Sequence, residues 1–142
     1  MFFLKELPSE KIMQRYARRF PEMDIDKTRE ALHMMRNASL LMRDLENYFR
    51  KYHFSMTRFL ILIVLDREHE LETFTISDLV SRLDISKPVI TTTAKRLEQD
   101  KMIQFDKNES DARYKKIRIT KKGRDTISKI MPGYYKIINE HM

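Results

Sequence analysis

Apolar residues recur along this chain mostly at helical spacing, and the pattern is sharpest between Thr75 and Glu98. Ile76, Leu79, Val80 and Leu83 fall at i, i+3, i+4 and i+7, which is one face of a short helix. Thr75 can cap its start, with Asp78 three residues on in a variant of the capping box. Asp84-Ile85-Ser86 breaks the run, and a second helix follows from Lys87 to Glu98. Ser86 is placed to cap it, and Pro88 is tolerated because its missing N–H has no helical partner in the first turn. Ile90, Thr93, Ala94 and Leu97 make the inward face. Two short helices joined by a tight break predict a helix-turn-helix.

The rest of the pattern is also helical, with one exception. Ser9 to Phe20 reads as an amphipathic helix with a stripe of Ile12, Met13, Tyr16 and Phe20, stopped by Pro21. It is expected to dock on its own domain or on a partner subunit, while Arg15, Arg18 and Arg19 leave an accessory DNA contact open. Asp26 to Tyr52 predicts a long helix capped by Asp26. Two adjoining stripes, one through Leu32, Met35, Ser39, Met42, Leu45 and Phe49, make it apolar over more than half its circumference, so it needs a partner surface. Ser55 to Asp66 is nearly continuous in apolar residues and therefore buried. The exception is Met102-Ile103-Gln104-Phe105 and Lys115-Lys116-Ile117-Arg118-Ile119, two short strands around the polar loop from Asp106 to Arg113. Thr73-Phe74 is expected to add a brief third strand. From Thr120 or Lys121 to Met142 the pattern is helical again, with a kink expected at Pro132-Gly133. A helix-turn-helix followed by a β-hairpin is a winged helix. The predicted class is mainly α with a small β-hairpin wing, in the α+β sense.

The outward face of the second short helix is chemically unusual. After Ser86 come Lys87, Pro88, Val89, Thr91, Thr92 and Lys95, with Arg96 beside them and no carboxylate before Glu98. Threonine hydroxyls reach phosphates or base edges, and Val and Thr methyls suit the thymine methyl in a major groove. A merely solvated helix is the bland alternative, although threonine is a poor helix former for a plain surface. On the hairpin, Arg113 near the tip can enter a minor groove, with Asp111 orienting its guanidinium. Lys115, Lys116 and Arg118 then approach phosphates.

Asp111-Ala112-Arg113 and Thr120-Lys121-Lys122-Gly123 match the D-x-R and T-x-x-G pair that brackets the second wing strand of the MarR family, and Leu97-Glu98 fits the same pattern. The chain resembles that family of bacterial transcriptional regulators over roughly Thr28 to Tyr135. It departs from it at Lys101, where a glycine is usual, and at Phe105, where a basic residue is common. Lys101 suggests a different exit from the recognition helix, and Phe105 removes one phosphate contact. The resemblance implies residues 1–25 as an extension and 26–142 as a MarR-like domain. Within it, 26–54 is a dimerisation helix, 55–119 the winged helix-turn-helix and 120–142 a C-terminal dimerisation helix. It also implies a homodimer on a pseudo-palindromic double-stranded operator, acting as a repressor. Relatives often carry one more helix after this point, and the N-terminal helix is expected to supply that surface. A small aromatic or apolar anionic effector is a further implication, with Met35, Met42, Tyr48, Phe49 and Phe59 as candidate contacts; plain core packing is the alternative for these five.

Composition narrows this further. The 28 Lys and Arg against 21 Asp and Glu give a net charge of +7, which favours a polyanionic partner. There are no cysteines, so disulfides, thiolate metal sites and cysteine-based peroxide sensing are excluded. With only Gly123 and Gly133, the chain has no glycine-rich phosphate loop. His33, His53, His69 and His141 match no short metal motif, and neither a cofactor nor an enzymatic activity is expected. The opening residues lack a signal peptide's basic start and long apolar core, and no run approaches the roughly 20 apolar residues of a membrane span, so a cytoplasmic protein is expected. A winged helix that binds protein instead of DNA is the competing reading; it would not need lysines and arginines concentrated on the helix and wing.

Overall fold

The computed structural model describes residues 4–68, 70, 74–106 and 115–142. Among them the elements run α1 (Glu10–Arg19), α2 (Ile25–Arg50), α3 (Met56–Arg67), α4 (Ile76–Arg82), α5 (Lys87–Gln99), β1 (Ile103–Phe105), β2 (Ile117–Ile119) and α6 (Lys121–His141). This is a mainly helical winged helix-turn-helix with a two-stranded antiparallel hairpin. No helix of the described residues is long and apolar enough to cross a membrane. Contacts divide the chain into two compact units, Met1–Leu45 with Ile137–Met142, and Glu46–Lys136.

In the first unit the Ser9 hydroxyl caps α1 by accepting the Ile12 N–H at 3.2 Å. Of the predicted stripe only Met13 is buried; Ile12, Tyr16 and Phe20 remain exposed. Asp24, not Asp26, caps α2, its carboxylate accepting the Lys27 N–H at 3.0 Å. Asp26 lies inside the first turn and pairs with Arg29 at 2.8 Å. Arg29 also pairs with Glu10, which ties α1 to α2. Ser39 and Leu45 are buried, whereas Met34, Met35, Leu40 and Met42 are exposed on α2.

The second unit holds a dense core. Ser55 caps α3, which buries Phe59, Ile61, Leu62, Val64 and Leu65 around most of its circumference. Phe59 packs against Phe49 and Tyr134, each at a ring distance of 4.7 Å. Near them the Tyr48 hydroxyl donates to the Ile130 carbonyl of α6 at 2.7 Å. Pro132 lies inside α6, which is continuous from Lys121 to His141. Gly133 is required by proximity, since a Cβ there would stand 2.3 Å from the Tyr48 hydroxyl oxygen.

At the start of the helix-turn-helix the local signal acts as read. Thr75 and Asp78 form a complete capping box at the start of α4. Ile90, Ala94 and Leu97 of α5 are fully buried and fix its rotation. β1 and β2 pair with Ile103 opposite Ile119 and Phe105 opposite Ile117. The expected third strand reduces to a single bridge between Thr75 and Lys116, with the Ile117 N–H donating to the Phe74 carbonyl at 2.8 Å. Thr73 lies outside the described residues.

The exit from α5 corrects the sequence reading. Lys101 does not divert the chain but adopts the left-handed conformation itself, at φ 62°. The Met102 N–H reaches the Leu97 carbonyl and the Lys101 N–H reaches that of Glu98, both at 2.9 Å, which is a Schellman closure. His53, at φ 54°, ends α2 in the same way. The T-x-x-G motif then clamps this exit. The Thr120 hydroxyl donates to the Lys101 carbonyl at 2.6 Å and accepts the Gly123 N–H at 3.1 Å. A Cβ at Gly123 would lie 2.3 Å from the Met102 carbonyl oxygen, so only glycine fits.

Two stability predictions follow from these contacts. Lys101→Gly relieves a left-handed residue and should raise unfolding free energy by about 1 kcal/mol, measured by denaturant titration; an unchanged midpoint would contradict the strain. Burial first, and the neighbouring Tyr52 second, push the Tyr48 hydroxyl up from 10.0 to about 12. Because the folded value is the higher one, this contribution is complete below about pH 10 and is lost as pH climbs toward about 12. Tyr48→Phe should therefore show a shallower loss of stability across that window.

Candidate nucleic-acid interface

The buried trio on α5 leaves its opposite side to solvent. Lys87, Pro88, Val89, Thr92, Lys95 and Arg96 are all exposed. Val89 is 45% exposed, an aliphatic side chain with no part in the core. Among the described residues none of Lys87, Lys95 and Arg96 is paired with a carboxylate. Ser86 stands at the N-cap in extended conformation, but its hydroxyl makes no capping bond. The sequence reading took Ser86 as a side-chain cap; the structure leaves that hydroxyl available to an outside acceptor instead.

Thr91 and Thr92 part company. Thr92 points outward, whereas Thr91 is half-buried in a cleft of about 260 Å³ between the start of α4, α5 and the hairpin. Ile76 and Phe105 wall this cleft, and Lys87, Thr91, Lys95 and Lys115 line it. Glu98 and Ser77 complete it. Along α5 the contributors are spaced 87, 91, 95 and 98, a helical stripe turned toward the hairpin rather than straight outward. Phe105 is thus a wall of the candidate site, not merely a missing cation. No local sequence signal announced it, because Ile76, Phe105 and Lys115 meet only through the hairpin pairing.

On the hairpin Arg118 is exposed opposite Gln104. Gln104, Phe105, Asp106 and Arg118 line a second, open hollow of about 360 Å³. Lys115 and Lys116 are half-buried, Lys116 being held by its bridge to Thr75. Asp111 and Arg113 lie outside the described residues. Ser86 to Arg96, Lys115, Lys116 and Arg118 therefore belong to the second unit, as does every residue of both hollows.

The five candidate effector contacts are distributed differently. Met35 and Met42 are exposed on α2 in the first unit, at 43% and 38%. Tyr48, Phe49 and Phe59 belong to the second unit, where Phe49 and Phe59 are sealed in the aromatic cluster with Tyr134.

Known proteins agree with this architecture. The sequence profile of the MarR family matches residues 54–115. No curated protein matches the chain by sequence. Among solved structures, AbsC, a MarR family transcriptional regulator from Streptomyces coelicolor, superimposes with a TM-score of 0.71 at 24% identity, covering 84% of this chain and 80% of its own. The S. aureus MepR–DNA complex superimposes with a TM-score of 0.65 at 14% identity, covering 78% of each chain. The M. tuberculosis transcriptional regulator MosR, in complex with DNA, gives 0.62 at 21% identity and covers 76% of this chain and 80% of its own. At these identities the likeness establishes the fold alone. The MarR-family profile thus matches residues 54–115, within a chain whose described fold is similar to that of solved MarR-family transcription regulators.

Proposed function

We propose that this protein is a sequence-specific, double-stranded DNA-binding transcriptional regulator. The observation that carries the reading is the outward face of α5: from Lys87 to Arg96 every exposed side chain except Pro88 is cationic, methyl-bearing or hydroxylic, without a carboxylate among them. Such a face matches the acceptors and methyls of a major groove. Lys115, Lys116 and Arg118 add phosphate contacts from the hairpin, and the D-x-R match assigns the minor-groove contact to Arg113. Solved DNA complexes of MepR and MosR share the fold, which favours the same use here.

The regulator acts as a homodimer on a pseudo-palindromic operator, because a two-fold dimer offers two recognition helices about 34 Å apart, one turn of DNA. The exposed Met34, Met35, Leu40 and Met42 on α2 support a partner copy on that helix, and the exposed stripe of α1 extends the same demand. Its mode is repression by blocking promoter access. A small aromatic or apolar anion controls it by binding better to the dimer whose helices are wrongly spaced for DNA, since a ligand with equal affinity for both states shifts nothing.

Affinity for random duplex should fall by orders of magnitude between about 50 and 200 mM salt, and Lys87→Ala or Lys95→Ala should flatten that slope for all sequences alike. Flat, salt-insensitive behaviour would favour the protein-binding module. Thr92→Ala, by contrast, should change which duplexes are recovered from a random pool; an unaltered selected sequence would remove Thr92 from readout. For control, titrating a salicylate-like anion to millimolar concentration should release the selected duplex or shift the melting temperature. No change in either would leave regulation to the protein's abundance or to another partner.

A further inference from the structure

We infer that the cleft between α5 and the hairpin seats one sugar–phosphate unit of the DNA backbone, and that its Phe105 wall makes the protein discriminate deoxyribose from ribose. The inference rests on the DNA-binding reading and goes beyond it by assigning a chemical preference to a residue that lacks any charge. A nucleic-acid backbone alternates an anion with a largely apolar ring, and the cleft offers the same alternation. Lys87, Lys95 and Lys115 supply ammonium groups and Thr91 a hydroxyl for the phosphate. Ile76 and Phe105 supply an apolar wall for the sugar. The volume of about 260 Å³ is enough to admit one such unit.

The carboxylate of Glu98 restricts where the anion can sit. It lies three residues past Lys95 on the same stripe, so a phosphate is favoured toward Lys87, Thr91 and Lys95 and repelled from the far end. The sugar is left against Phe105. A ribose there would press its 2′-hydroxyl on an aromatic face that offers no acceptor, and an unpaired hydroxyl removed from water is unfavourable. An arginine or lysine at position 105 would instead give that hydroxyl a polar neighbour and so remove the penalty on ribose.

The test places single ribonucleotides, one position at a time, in an otherwise deoxy duplex recovered by selection, which leaves the helix form unchanged. The wild-type chain should lose about tenfold in affinity at one position per half-site and little elsewhere. Phe105→Leu keeps an apolar wall and should keep the discrimination. Phe105→Arg should bind deoxy and ribo-substituted duplexes equally, with a steeper salt dependence. Glu98→Gln should tighten every duplex alike. Wild-type binding that is indifferent to ribose at every position would overturn the inference while the DNA reading stands, as would discrimination that survives Phe105→Arg. Failure of the wild-type chain to bind any duplex would sink both.

Discussion

The contact on which the helix-turn-helix and its hairpin depend is the approach of Gly123 to the Met102 carbonyl. No side chain can occupy that gap, because a Cβ would sit 2.3 Å from the oxygen. The same point gathers four pieces of chain: the end of α5, the start of β1, the end of β2 and the first turn of α6. Thr120 bonds both to the left-handed Lys101 and to Gly123, and its N–H meets the Met102 carbonyl at 3.0 Å. Lys122 reaches the Asp100 carbonyl at 2.8 Å. Fixing the exit of α5 in this way sets the hairpin beside it, and the cleft between them follows.

From that constraint the chemistry of the surface is derived. With Ile90, Ala94 and Leu97 at full burial, α5 has no rotational freedom, so the identity of its outward residues becomes a property of the fold. The arrangement divides labour along one helix. Thr92, Val89 and Arg96 face straight out, where base edges would lie, while Lys87, Thr91 and Lys95 turn toward the hairpin. Positive charge left unpaired on such a face is repulsive within the protein and becomes favourable only against a polyanion. That asymmetry, rather than the net charge of +7, is what supports nucleic acid as the proposed partner.

Much of this was legible in the residues. The helix-turn-helix came from helical periodicity and from a capping box whose partners are three residues apart, so purely local physics sufficed for Thr75, Asp78 and the buried face of α5. The T-x-x-G motif signalled a wing, although its physical purpose, a hydroxyl clamp and a missing Cβ, lies in contacts with Lys101 and Met102 that are distant in sequence. What the sequence concealed was non-local. Thr91 and Thr92 are neighbours in the chain, yet only the hairpin's position separates a cleft residue from an outward one. Phe105 read as a lost cation because its companions Ile76 and Lys115 lie 29 and 10 residues away in sequence. Asp24 displaced Asp26 as the cap of α2 because the chain turns into the helix earlier than the apolar stripe alone indicates. Lys101 accepts a strained conformation because the clamp around it leaves no other exit.

The account stands on the outward face of α5 meeting DNA, and the chain's lack of cysteine allows that to be tested at a single residue. Thr92→Cys would be mixed with a selected duplex carrying a thiol tether on one base of each half-site, and Lys129→Cys, on the exposed side of α6, would serve as the control. A disulfide-linked protein–DNA species should form from position 92, at one base position per half-site, and not from position 129. Cross-linking that is absent at 92, or equal at both positions, would contradict the account.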